Sequence, residues 1–233
     1  MFRMKTKKKK EFSTKARKLI TVLDTKSLIA EQFRTIRANI TFSMPDAYLK
    51  TILVTSSIPG EGKSTSAANL GVVFAHEGKK VLIVDADLRK PTLHQTFELI
   101  NIAGISTVLS QQQSASNVIQ ETFVNGLDVV LSGPLPPNPS ELLSSKAMDS
   151  FIKEMAQIYD LIIFDAPPLL SVSDAQLLAN RCDGTLLIVS MGTSQKSDVL
   201  KAKDILTASK ANILGVVMNN FIEPKNNYYR YGY

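Results

Sequence analysis

Short runs of apolar, mostly β-branched residues recur along the chain at 51–54, 81–84, 127–131, 161–164, 185–190 and 213–218. Apolar residues at successive positions, with no polar alternation, are the mark of strands covered on both faces of a parallel sheet. Between these runs the spacing becomes helical. Over residues 27–42 (SLIAEQFRTIRANITF) the apolar Leu28, Ile29, Phe33, Ile36 and Ile40 share one face and Glu31, Arg34 and Arg37 another, which predicts an amphipathic helix ahead of the first core strand. Residues 195–210 read as a further helix, as does the segment opening at Lys63. This alternation predicts an α/β fold, a mostly parallel sheet with helices on both faces. Periodicity is weaker over 92–132, where a polar stretch at 111–116 precedes the 127–131 strand. The proline-rich GPLPPNPSELL (133–143) predicts a stiff loop entering a helix with Ser140 as its N-cap.

The pattern divides the 233 residues into a basic, flexible extension (1–26), one folded domain (27–222) and a flexible tail (223–233). Hydrophobic content of 44% and charged content of 21% are those of an ordinary globular chain, so disorder is expected only at the ends. Cys182 is the single cysteine. That excludes an internal disulfide, a cysteine zinc site and an iron–sulfur cluster held by this chain alone, and it fits a reducing, cytoplasmic compartment. No apolar run approaches the roughly 18 residues a bilayer span needs, and the lysine-rich start lacks the apolar region of a secretory signal.

The formal charge of +6 is concentrated at that start, where Arg3, Lys5, Lys7, Lys8, Lys9, Lys10, Lys15, Arg17 and Lys18 face only Glu11. Such a run is a solvated end, or a patch drawn to an anionic membrane leaflet at about 1 kcal/mol per basic residue. A specific nucleic-acid partner is not expected, because neither aromatic interleaving nor a recognition motif accompanies the charge.

The chemistry is concentrated at LVTSSIPGEGKST, residues 53–65. An apolar strand runs into a Pro-Gly-Glu-Gly turn and then into a helix N-terminus, the layout of a phosphate-binding loop. Ser57, Pro59, Gly60, Glu61, Gly62, Lys63, Ser64 and Thr65 are the candidate ATP-binding residues. Glycines let the backbone approach a polyphosphate, Lys63 adds a compact charge for it, and the Ser64 hydroxyl is placed for Mg²⁺. Ser57 stands where the usual G-x-x-x-x-G-K-[ST] pattern has its first glycine. The plain alternative is a glycine-rich turn joining a strand to a helix.

Two more apolar runs end in acids. KVLIVDADLRKP (80–91) carries Asp85 and Asp87, which face one site if the strand stays extended, and YDLIIFDAPP (159–168) carries Asp165, a Walker B-type position for Mg²⁺. Asn219, at the end of the last apolar run, is placed to read a base edge or simply to begin a turn. Four of the six tyrosines, Tyr228, Tyr229, Tyr231 and Tyr233, crowd the final residues. They are either sticky contacts on a disordered tail or targets of phosphorylation, which adds about −1.5 to −2 charges per site.

Together, SSIPGEGKST, VLIVDADLRKP, YDLIIFDAPP and the terminal tyrosines resemble the bacterial tyrosine kinases of capsular and exopolysaccharide synthesis, specifically the cytoplasmic kinase chain of two-chain Gram-positive systems. The resemblance covers residues 27–233. It implies a P-loop NTPase-like fold, ATP and Mg²⁺ as cofactors, and autophosphorylation of the four terminal tyrosines. Lys63 and Ser64 match the Walker A lysine and hydroxyl, Asp85 and Asp87 the Walker A′ motif, and Asp165 Walker B. The catalytic set is then Lys63, Asp85 and Asp87, with Asp85 taking the tyrosine proton, and Ser64, Asp87 and Asp165 attending the metal.

Glu31, Arg34 and Arg37 match the E-x-x-R-x-x-R interface motif, which implies a ring in which one subunit's tail enters the next subunit's site. A transmembrane activator that holds the kinase at the inner face of the membrane, and a cognate tyrosine phosphatase, are also implied. The related partitioning ATPases carry a second lysine where Ile58 stands here. They supply the alternative reading, a nucleotide switch that positions a membrane or chromosomal partner. A third reading is a non-catalytic scaffold. The intrahelical pairing of Glu31, Arg34 and Arg37 is the plain alternative to an interface.

Overall fold

The six apolar runs form six of the seven strands of one sheet in a computed structural model that describes residues 19–44 and 49–221. The expectations for residues 1–18 and for Tyr228, Tyr229, Tyr231 and Tyr233 fall outside the described residues. In chain order the elements are α1 (Ile20–Leu23), α2 (Leu28–Ser43), β1 (Thr51–Ser56), α3 (Lys63–Ala75), β2 (Val81–Asp85), α4 (Leu93–Phe97), α5 (Ile105–Leu109), α6 (Ala115–Val118) and β3 (Ile119–Glu121). They continue as β4 (Leu127–Val130), α7 (Pro139–Ser144), α8 (Lys146–Ile158), β5 (Leu161–Asp165), α9 (Asp174–Ala179), β6 (Gly184–Ser190), α10 (Lys196–Ala208) and β7 (Ile213–Asn219).

The strand order is β3-β4-β2-β5-β1-β6-β7, parallel throughout except for β3 against β4. This is the expected α/β, P-loop NTPase-like architecture. The absence of polar alternation in the strands has its reason here. Leu53, Leu82, Val84, Ile162, Phe164 and Leu187 point into one core with α8, α9 and α10. Their neighbours Ile52, Val54, Val81, Ile83, Leu161, Ile163 and Ile188 point into the other, under α3. Each fully buried side chain of this size contributes about 1.5–3 kcal/mol. Helix α3 is itself buried almost all round, because the sheet lies on one side and α2 on the other.

Several local expectations are corrected. Strand β3 was not anticipated, since a three-residue edge strand reading Ile-Gln-Glu gives no apolar run. Ser140 does not cap a helix: α7 begins at Pro139 after Asn138, and the Ser140 hydroxyl donates instead to Asp174 Oδ1 at 2.7 Å. Helix α2 forms where its spacing predicts, with the Ser27 hydroxyl accepting from Ala30 N at 3.2 Å. Leu28 and Ile29, however, are exposed on its first turn while Ile40 is buried. Ordered structure also reaches back to Leu19, into the segment expected to be flexible. Leu19 is buried, and Thr21 donates through both N and Oγ1 to Asn69 Oδ1 of α3, at 3.1 and 2.8 Å. Among the described residues no helix is long and apolar enough to cross a membrane.

Candidate active site

Three neighbouring strands place the site. In the order β2-β5-β1, Asp85 lies in register with Asp165 at the carboxyl ends of β2 and β5, and β1 beside them runs out into the phosphate loop. Ligand crevices of open parallel sheets lie beyond these carboxyl ends. The loop turns through left-handed backbone at Gly60 (φ 88°) and Gly62 (φ 90°), conformations that a side chain would strain. At Gly62 a Cβ would also collide with the Asn219 amide. Helix α3 starts at Lys63, so its N-terminal amides face the cleft mouth. The cleft has a volume of about 440 Å³ and is walled by the loop and Lys63 on one side, Asp87 and Arg89 on another, and Pro167 and Pro168 after β5.

At its floor Lys63 Nζ lies 2.8 Å from Asp87 Oδ2 and 3.2 Å from Asp165 Oδ1, and donates to Ser64 Oγ at 3.2 Å. Burial alone would lower the Lys63 pKa, but the Asp165 and Asp87 carboxylates override it and hold the ammonium above its ordinary value. Asp165 is fully buried, and that desolvation raises its pKa despite the Lys63 charge beside it. Asp85 is fully buried as well. Its Oδ2 accepts from Thr92 N and Leu93 N at 3.0 Å each, at the start of α4. Burial first, and the Asp165 charge second, push its pKa up to about 7.

The expectation that Asp85 and Asp87 face one way holds only while the strand continues, and β2 stops at Asp85. Asp85 turns into the protein, whereas Asp87 stands on the cleft wall, its Oδ1 accepting from Lys90 N at 3.0 Å. Other candidates also separate. Glu61 is buried to 1% exposure, its carboxylate turned into the protein. Asn219 donates its amide to the Glu61 carbonyl at 2.9 Å instead of standing on the cleft wall. Arg34 pairs with Glu31 at 2.7 Å within α2, while Arg37 leaves the stripe to bind Glu77 Oε1 at 3.1 Å and Val73 O at 3.2 Å beside α3.

Sequence reasoning missed Asp174. It is fully buried and receives Arg89 through two bonds, at 2.9 and 3.1 Å, so it fixes the arginine on the cleft wall. Nothing in SVSD marks it, because an acid at the first position of a helix reads as ordinary capping.

The donor set fits a divalent cation that shares its ligands with phosphate. Asp85 Oδ1 and Asp165 Oδ2 are buried polar atoms with no hydrogen-bond partner among the described residues. Among the described residues no three His, Cys, Asp or Glu side chains are grouped to hold a metal unaided. Mg²⁺ takes one or two carboxylates and completes its shell with water and substrate oxygens. Asp87, Asp165 and the Ser64 hydroxyl are the residues here that would hold it.

Comparison with known proteins identifies the fold and the family. A family model described as an AAA domain matches residues 49–197. The tyrosine-protein kinase YwqD of Bacillus subtilis (strain 168) is 48% identical over 96% of this chain and 94% of its own length. Among solved structures, the chimerical protein CapA2B2 superposes with a TM-score of 0.85 at 42% identity, covering 88% of this chain and 90% of that one. The kinase domain of the Escherichia coli tyrosine kinase ETK gives 0.87 at 31% identity, covering 97% and 89%. A Walker-type lysine knotted to Asp165 at the end of β5 and to Asp87 just past β2, on this fold and with this identity over its length, establishes that the chain belongs to the bacterial tyrosine kinase family of P-loop ATPases.

Proposed function

We propose that this ATP-dependent tyrosine autokinase transfers the γ-phosphoryl group of ATP to Tyr228, Tyr229, Tyr231 and Tyr233 of a neighbouring copy, and thereby regulates capsular or exopolysaccharide synthesis. The observation that carries the reading is the meeting of Lys63 with Asp87 and Asp165 within 3.2 Å at the carboxyl edge of the sheet. The loop amides and Lys63 receive the triphosphate and offset the charge that spreads over the transferred group. Ser64, Asp87 and Asp165 hold Mg²⁺, which when bound supplies further charge neutralisation for the phosphate oxygens. A tyrosine hydroxyl, with a pKa of about 10, is a poor nucleophile at neutral pH until a carboxylate takes its proton. Asp85 is the acceptor assigned here, through the Oδ1 that lacks a partner among the described residues, and because it lies buried behind the cleft wall the proton reaches it only as that wall opens to the tyrosine. Arg89, clamped by Asp174, presents a fixed positive charge at the cleft wall.

The nucleotide-switch reading has less support, since Ile58 occupies the place of the second loop lysine and a tyrosine kinase is 48% identical to this chain. Activation by a membrane partner would place the chain at the inner face of the membrane, with the basic start adding attraction to anionic lipid.

A mixing experiment tests transfer between subunits. A Lys63→Met chain with its tail intact is combined with a chain carrying Phe at 228, 229, 231 and 233, in the presence of Mg-ATP and the membrane partner's cytoplasmic segment. Phosphotyrosine is expected on the Lys63→Met chain. If wild type is phosphorylated under the same conditions and the mixture is not, transfer in trans is wrong.

Assembly has its own test. Among the described residues of its own subunit Arg34 binds Glu31 and the Thr25 carbonyl, at 36% side-chain exposure, so it remains available to a neighbour. Arg34→Ala is expected to shift sedimentation from oligomer to monomer with the monomer's unfolding midpoint unchanged. Arg37→Ala should lower that midpoint as well, because it removes contacts to Glu77 and Val73.

A further inference from the structure

We infer that Glu61 is a positioning residue of the phosphate loop, an internal strut that fixes the loop backbone for nucleotide without touching it. A charged side chain in a glycine-rich loop would ordinarily point to water, yet Glu61 is 1% exposed and Ser57 is fully buried. The Ser57 hydroxyl, at the position of the usual first glycine, donates to the two carboxylate oxygens of Glu61 at 2.9 and 2.8 Å. Ile58 N donates to Oε2 at 2.9 Å, and on the far side Oε1 receives Ser190 N at 3.4 Å together with the Ser194 hydroxyl in a close contact. Ile58 N needs an acceptor on one oxygen, and on the other Ser190 N points at Oε1 while donating more closely to the Ser194 hydroxyl at 2.9 Å, whose own proton goes to Oε1, so both oxygens receive donors as a carboxylate's do.

The knot therefore joins the start of the phosphate loop to the turn after β6. The Glu61 carbonyl extends it by accepting from Asn219 Nδ2 at 2.9 Å, and Asn220 Nδ2 donates to Ser190 Oγ at 2.9 Å. The ends of β6 and β7 thus brace the loop from behind, on the side away from the cleft. A loop with left-handed residues at Gly60 and Gly62 has little rigidity of its own. Charge-assisted bonds to a buried acceptor supply it and keep the amides aimed before phosphate arrives. The Asn219 amide, anticipated at a base edge, belongs to this brace.

The inference rests on the nucleotide site proposed above, and the experiment separates the two. MgADP and MgATP affinity are measured for wild type, Glu61→Gln and Ser194→Ala, alongside KM for ATP and kcat for phosphotyrosine formation. Glu61→Gln keeps the side chain's size but removes the charge, and with its carbonyl oxygen on Ile58 N it turns an N–H₂ group toward Ser190 N and reverses the bond to the Ser194 hydroxyl. It is expected to raise Kd and KM about tenfold, while kcat, set by Lys63 and the aspartates, stays within about threefold. Ser194→Ala should act in the same direction by about threefold, and adding it to Glu61→Gln should add little, since both act through one knot. Unchanged KM in a folded Glu61→Gln protein overturns the strut. Should that variant fail to fold, unchanged KM in Ser194→Ala overturns it equally. Failure of wild type to bind nucleotide overturns the site itself.

Discussion

Replacing Lys63 with methionine is expected to slow phosphotyrosine formation by about 10²–10³-fold, the usual cost of removing one preorganised positive donor from a phosphoryl- or acyl-transfer site. Methionine keeps the length and most of the volume, so what is lost is the charge. In wild type that charge lies between Asp87 and Asp165 at 2.8 and 3.2 Å, with Lys63 largely buried. Its removal leaves the fully buried Asp165 without a cation. Breaking a buried pair from one side costs about 3–5 kcal/mol, so the nucleotide-free variant should also unfold at lower denaturant. The deficit should shrink on acidification, because protonated carboxylates no longer need the ammonium. Lys63→Met made in parallel with Asp165→Asn separates the two effects. The double variant should recover stability while staying inactive. A variant that retained more than about a tenth of wild-type phosphotyrosine formation would remove Lys63 from the chemistry.

Why some of this was legible in the sequence and some not follows from where the partners of each residue lie. Lys63, Asp85 and Asp165 were visible because each ends or follows a strand whose continuous apolar run cannot be read another way, and because parallel sheets bring all such ends to one edge. That Asp85 and Asp165 are direct neighbours was not visible. The order β2-β5-β1 comes from long crossovers, and no local signal encodes which strands meet. Asp87 was read as sharing the Asp85 face, an extrapolation of strand geometry past the residue where the strand stops.

Glu61 was placed among the phosphate contacts since its neighbours are loop residues. Two of the partners that turn it inward, Ser190 at the end of β6 and Ser194 in the turn after it, lie far along the chain. Ser140 was given a capping role on residue type, but Asn138 and Pro139 open the helix and the buried Asp174 claims the hydroxyl. Leu28 and Ile29 fit a helical apolar stripe and are nonetheless exposed on the first turn of α2. The errors share one physical origin: periodicity reports which residues can share a surface, and it is silent on what occupies the space opposite.

Asp85→Asn is the other substitution with a large expected effect, and its pH dependence distinguishes a proton acceptor from a structural acid. Loss of a positioned general base costs about 10²–10⁴-fold in rate. The asparagine oxygen can still accept from Thr92 N or Leu93 N, so the start of α4 need not collapse. The Asp85 pKa of about 7 has a second consequence. In the unfolded chain this carboxyl titrates near 4, so between roughly pH 4 and 7 the folded state holds a proton that the unfolded state has released. The contribution of Asp85 to stability is therefore full below about pH 4 and is lost as pH rises through about 7, a change on the order of a few kcal/mol. Asparagine does not titrate. In magnesium- and nucleotide-free protein, the unfolding midpoint of Asp85→Asn should thus gain on wild type steadily from pH 4 to 7 and run parallel to it above about 8. Parallel curves throughout would mean that Asp85 is already ionised in the fold at acid pH. An Asp85→Asn enzyme with wild-type rate would move proton acceptance to another group.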